Sequence, residues 1–327
     1  MHIGYAFQAD TTMLIPIVTY HYVRPLSERF SANHKSLDLS QFLRQIEVLN
    51  KNHFFVKGTQ VHDLQVELDS NGRKPVWLSF DDGYLDHYKY VYPELMLRGA
   101  VGSFFIPTEA IFGRKLLDVN KIHLILAANS NISQIINEIT EIFDKNSGAA
   151  VLGRSFGELR AEYSVANLTN DPDTRFVKLL LQEVMPKNLR KIVLNELFSE
   201  YIRRDESAIV DELYMNPDQV KFMHENGMNI GSHGHAHSRF EFMSYESQMM
   251  DIDQSLKCFR SIGIDDANVV VCYPYGSFND ETKAILSSFG CLAAISTKLG
   301  VADTNAEEFD WLELQRIDTK FFNEFFN

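Results

Sequence analysis

Two adjacent carboxylates, Asp81 and Asp82, stand in Ser79-Phe80-Asp81-Asp82-Gly83-Tyr84, directly after an apolar run that reads as a buried strand. In a parallel α/β barrel, the chain just beyond a strand's C-terminal end lines the active site. Alone, such a pair reads as a turn in which Asp82 caps the next helix. A second cluster, Gly231-Ser232-His233-Gly234-His235-Ala236-His237, also follows an apolar run and carries imidazoles at i, i+2 and i+4. In a turn or helix His233 and His237 converge while His235 points away. By itself this is equally a solvated loop. Taken with Asp82, the two imidazoles make a three-ligand metal set that leaves positions open for water and substrate, the pattern of a hydrolytic centre. Asp81, beside a ligand but free of the metal, is then the general base. A third piece, Cys272-Tyr273-Pro274-Tyr275-Gly276, follows another apolar run. Its turn can aim the Tyr275 backbone N–H into the site and lay the Tyr275 ring as a wall for a sugar.

These three pieces, in this order, resemble the motifs of the polysaccharide deacetylase family, also called NodB-homology enzymes or carbohydrate esterase family 4. TFDDG is matched by Ser79 to Gly83 with Ser for Thr. HSxxH is matched by His233 and His237, with Gly234 where Ser or Thr is usual, and RxPY by Cys272 to Tyr275 without the Arg. Tyr20-His21-Tyr22-Val23 and Gln315-Arg316-Ile317-Asp318 look like segments of the branch that acts on surface polysaccharides. The resemblance covers about Ile15 to Thr319. It implies a distorted, incomplete (β/α) barrel and metal-dependent removal of an N-acyl group, usually acetyl, from an amino sugar. It makes Asp81 the base, Asp82, His233 and His237 the ligands of one divalent metal (Zn²⁺, with Co²⁺, Ni²⁺ or Mn²⁺ as alternatives), and the Tyr275 N–H part of the oxyanion hole.

One departure concerns the proton donor. The family's late Leu-x-His motif, source of the usual general acid, has no match, since no histidine follows His237. Two sources are weighed: Asp81 returning the proton it took from water, or His123. His21 reads as a buried, satisfied core histidine, with a catalytic role as the alternative. Arg316 either takes over the missing motif arginine in orienting Asp81 or forms an ordinary salt bridge.

The elements that must carry these residues follow from periodicity. Short runs rich in β-branched and aromatic residues alternate with stretches of helical period, as βα units require. Strands are expected at Ile15–Tyr20, Phe54–Val56, Val76–Phe80, Ser103–Ile106, Met228–Ser232, Val269–Tyr273, Leu292–Ser296 and Leu312–Ile317. Asp38 with Gln41 forms a capping box, and Leu85, Tyr88, Tyr92 and Leu95 mark a helix that stops at Gly99. The deacetylase-like barrel is expected over 14–327, interrupted at 113–214 by a helical insertion whose one histidine is His123. Residues 1–12 lack periodicity and read as a leader or tag.

Composition bounds the function classes. With 31 Lys plus Arg against 44 Asp plus Glu, the formal charge is −13, and no basic block is present, so nucleic acid is not an expected partner. No apolar run is long enough for a membrane span. Three scattered cysteines, Cys258, Cys272 and Cys291, lack metal-knuckle or disulfide-framework spacing and read as free thiols. The reading is a cytoplasmic amide hydrolase that deacylates an amino sugar, its substrate partner, for cell-surface polysaccharide; the composition does not address oligomeric state. The competing class is a non-catalytic carbohydrate-binding protein that retains the metal site.

Overall fold

The computed structural model of the chain describes residues 13–28, 36–63, 68–165, 171–265, 267–304, 306–307 and 309–326. The expected leader at 1–12 lies outside them. Eight strands form one parallel sheet: β1 (Ile17–Tyr20), β2 (His53–Val56), β3 (Lys74–Phe80), β4 (Ser103–Ile106), β5 (Asn229–Ser232), β6 (Val270–Cys272), β7 (Ala293–Leu299) and β8 (Leu314–Asp318). The order β1-β8-β7-β6-β5-β4-β3 closes on itself, because β3 also pairs with β1. Seven strands therefore make a closed parallel barrel.

The eighth strand, β2, explains the distortion. Trp77 is in register with Ile17 of β1 and Val56 of β2 at once, so these strands flank β3 on opposite edges. Ser79 is paired with Thr19 of β1 and Ser103 of β4. The edge facing away from β1 is thus shared, by β2 over the first half of β3 and by β4 over the second. The split opens the ring locally without leaving that edge of β3 unpaired.

Helices join the strands where the capping chemistry places them. In α1 (Leu39–Asn52) the Asp38–Gln41 capping box forms, and Phe42, Ile46 and Leu49 are buried. The stretch after β3 is helical, but its first turn, His87–Val91, is wound as a π-helix before continuing as α2 (Tyr92–Leu97). Asn216 caps α3 (Pro217–Glu225), Ser244 caps α4 (Tyr245–Ser261), and Asn279 caps α5 (Asp280–Ser288).

Among the described residues the chain forms two compact units, one of 13–26, 36–114 and 211–326, the other including 115–210. The barrel lies in the first. Its chain leaves at Arg114 and returns at Asp211, whose side chains pair at 2.7 Å, so the excursion between them closes over a short gap. The second unit is helical and has a core of its own: Ile135, Ile136, Ile139 and Phe143 are buried, and the rings of Phe143, Phe156 and Phe176 meet edge to face. No described helix is long and apolar enough to cross a membrane.

Candidate active site

Because all barrel strands are parallel, their C-terminal ends meet on one rim, and the chemically marked residues sit there. Asp81 and Asp82 follow β3, His233 follows β5, Tyr275 follows β6 and Arg316 lies near the end of β8. Asp82, His237 and Tyr275 have φ of 74°, 52° and 58°, in the left-handed region that non-glycine residues rarely adopt. Strain of this kind is tolerated where surrounding contacts over-determine the turn. Here Asp251 of α4 supplies such contacts: its carboxylate, 7% exposed, accepts the N–H groups of His235 at 2.6 Å and Ala236 at 2.9 Å. Gly234, at φ +71°, sits in this turn with the place of a Cβ 3.0 Å from the Asp251 carboxylate, which accounts for glycine where Ser or Thr is usual.

Three donors converge. Asp82 Oδ1 is 3.5 Å from His233 Nε2 and 3.3 Å from His237 Nε2, and all three residues are buried. His235 is outside this set, its Nδ1 hydrogen-bonded to Thr108 Oγ1 at 2.9 Å. Asp82 does not cap a helix. Its second oxygen accepts the Tyr84 hydroxyl at 2.8 Å, leaving Oδ1 for the imidazoles. His233 donates its Nδ1–H to the Cys272 carbonyl at 2.6 Å, which turns Nε2 toward Asp82. Burial raises the Asp82 pKa, but hydrogen bonds from His233 and His237 outweigh it and hold the carboxyl well below its ordinary value. Burial lowers the pKa of His237, so it is a neutral donor. For His233 burial also works against charge, but the Asp82 and Asp81 carboxylates beside it outweigh burial and raise its pKa. A divalent cation takes the place of that proton when it binds such a ligand. One carboxylate and two imidazoles, with ligand atoms all within 4.8 Å of one another, fit a borderline divalent ion such as zinc.

A second trio, Asp81, His233 and Cys272, is equally compact but already faces a cation. Arg316 NH1 lies 2.5 Å from Asp81 Oδ2 and 3.2 Å from the Cys272 sulfur. Burial also raises the thiol's pKa, so Cys272 is a thiol rather than a ligating thiolate. Asp81 is fully buried and accepts from Ser79 Oγ at 3.2 Å. Burial pushes its pKa up, yet Arg316, His233 and His21 together hold it at about 2. Asp81 is therefore ionised at any physiological pH. Arg316, from the opposite end of the sequence, thus reaches both Asp81 and Cys272, the residue that stands where the RxPY pattern has its Arg.

His21 corrects an expectation. It is not a buried core residue: its side chain is 46% exposed, with Nε2 3.7 Å from Asp81 Oδ2. The alternation that buries Tyr20 ends with β1, and His21 is the first residue beyond it. Its signal in the sequence is the same as that of Asp81 and His233, a position directly past a barrel strand. His123 belongs to the second unit. The Tyr275 ring packs 4.7 Å from the His237 ring and under the Arg239 guanidinium at 4.4 Å. Cys258, Cys272 and Cys291 form no disulfide among the described residues.

Comparison with known proteins agrees with this geometry. A family model described as polysaccharide deacetylase matches residues 199–294, the stretch that holds His233, His237 and Tyr275. The deacetylase PplD of Streptococcus pyogenes, solved in complex with acetate, superposes with a TM-score of 0.55 at 18% identity, over 94% of this chain and 93% of its own. The chain has the polysaccharide deacetylase fold. IcaB from Ammonifex degensii shares that fold at a TM-score of 0.55 and 14% identity, covering 95% of both chains. A de-N-acetylase from Aggregatibacter actinomycetemcomitans gives 0.51 at 14%, over 94% of this chain and 96% of its own. No curated protein sequence matches the chain. The resemblance read from the motifs is borne out, and the family match with the fold supports a carbohydrate deacetylase.

Proposed function

We propose that the chain is a metal-dependent N-deacetylase that hydrolyses the acetamido group of an amino sugar in a surface polysaccharide. The observation that carries this reading is Asp81, an ionised, fully buried carboxylate beside the Asp82, His233 and His237 set but tied to Arg316. A site built only to hold a metal or a sugar gains nothing from a second, unligated carboxylate. A divalent ion held by Asp82, His233 and His237 would polarise the amide carbonyl and lower the pKa of a bound water. Asp81 accepts the proton of the attacking water as its oxygen bonds to the carbonyl carbon. The Tyr275 N–H, presented by its positive-φ turn, stabilises the oxyanion. Collapse breaks the C–N bond, and the amine leaves with a proton from His21, the imidazole nearest Asp81 on the open side of the site. The products are acetate and the free amino sugar.

Acetate release from N-acetylglucosamine oligomers by the zinc-reconstituted protein tests this. Asp81→Asn, nearly isosteric, is expected to retain metal and fold while turnover falls by about 10²- to 10⁴-fold. Parent-like turnover in a metal-loaded Asp81→Asn variant overturns the reading.

A further inference from the structure

Backbone pairing between β1 and β3 ends with Asp81 N–H on the Tyr20 carbonyl at 3.0 Å. Beyond that point the two chain segments are held together by side chains. The Tyr22 and Tyr84 rings stack with centroids 3.9 Å apart. Arg24 and Asp86 form a two-pronged buried pair, both contacts at 2.9 Å. His87 Nε2 lies 2.8 Å from the carbonyl oxygen of His21, and since a carbonyl can only accept, the imidazole donates. Tyr84, in the same segment, also holds Asp82.

His87 is an expensive way to fill space. It is fully buried among the rings of Phe80, Tyr84 and Phe104, where an apolar side chain would pack without desolvating two nitrogens. Its Nδ1 has no hydrogen-bond partner among the described residues. The π-wound turn that starts at His87 is itself a departure from regular helix of a kind frequent at functional sites. What the imidazole provides in return is one hydrogen bond, to the backbone of the residue proposed above as proton donor.

Resting on that reading of His21, we propose that Tyr84, Asp86 and His87 form a clasp that sets the position of His21 against Asp81, with His87 as its principal positioning residue. The clasp acts only on delivery of a proton to the leaving group. An aryl ester, whose phenolate departs without a proton, should be indifferent to it, whereas an acetamide should not.

The test compares acetate release from N-acetylglucosamine oligomers with hydrolysis of p-nitrophenyl acetate on the zinc-loaded protein. His87→Leu is expected to lower kcat on the amide about tenfold or more, with KM and ester turnover within about twofold and metal content unchanged. His87→Gln, whose amide N–H can reach the same carbonyl, should recover most of the amide rate. Equal losses on both substrates, or loss of metal, would assign His87 to general stability and overturn the clasp. His21→Ala separates the two proposals. Selective amide loss there with a parent-like His87→Leu overturns the clasp alone, and parent-like amide turnover in His21→Ala overturns the proton-donor reading. If His87→Leu does not fold, the double variant Arg24→Met/Asp86→Leu, which strands neither charge, should show the same selective loss. A parent-like ratio there, or failure of that variant to fold as well, likewise overturns the clasp.

Discussion

The lower interior of the barrel and its C-terminal rim are built on opposite terms, although the same strands make both. Side chains two residues apart on a strand share a face. Along β1 that face passes from Ile17 to Thr19, along β3 from Trp77 to Ser79, and along β8 from Leu314 to Arg316. Ile17, Trp77 and Leu314 belong to one apolar cluster with Phe105, Val270 and Ile295. One step higher, Ser79 and Arg316 both bond Asp81. Below, regular strands bury apolar surface and stabilise the fold. Above, buried charges and three left-handed residues cost stability, each strained backbone position on the order of 1–3 kcal/mol. The lower layer thus supports an upper layer arranged for chemistry.

Substitutions at the rim and in the lower layer should therefore fail differently. The largest effect is expected at the ligands: Asp82→Ala, His233→Ala or His237→Ala should leave dialysed protein with little bound metal, while His235→Ala retains it. Metal analysis decides this, and equal retention by all four would remove the distinction between ligand and neighbour. In the lower layer, Trp77→Ala should cost about 3–5 kcal/mol in denaturant unfolding but leave turnover per metal-loaded molecule near parent. A proportional fall in turnover would show that the two layers are not separable.

Arg316→Met tests the join between them and should give a smaller, pH-dependent effect. The Asp81 carboxyl is held at about 2, below its ordinary value, so its ionised form stabilises the fold above pH 4, by about 2 kcal/mol, and that contribution is lost as pH falls toward 2. Without the guanidinium, burial dominates and the pKa rises. The acidic limb of the pH–rate profile should then move to higher pH, since the base works only when ionised. An unmoved limb would mean that Arg316 does not set the charge state of Asp81.

Much of this was legible in the sequence because it is local. Period-2 and period-3.6 patterns mark strands and helices, and Ser103–Ile106 was recovered to the residue. The Asp38 and Asn216 caps are short-range hydrogen bonds that a few residues specify. Asp81, Asp82, His233, His237 and Tyr275 could be singled out because each lies just past an apolar strand, and in a parallel barrel every such position faces the same rim. The π-wound turn at His87 was not legible: Leu85, Tyr88, Tyr92 and Leu95 have the spacing of an ordinary helix, and the inward pull on His87 comes from residues 66 positions away.

By itself, then, the amino-acid order determined the alternation of strands and helices, the chemistry gathered at strand ends and the family those motifs resemble. Only the tertiary structure decided which edge of β3 receives β2, that Arg316 reaches Asp81 across 235 residues, and that His21 stands half-exposed beside Asp81 instead of in the core. The physical reason is common to all three. Periodicity specifies which way a side chain points from its own strand, whereas closure of the ring decides which strands become neighbours and how far above the last backbone pair each chain segment remains buried.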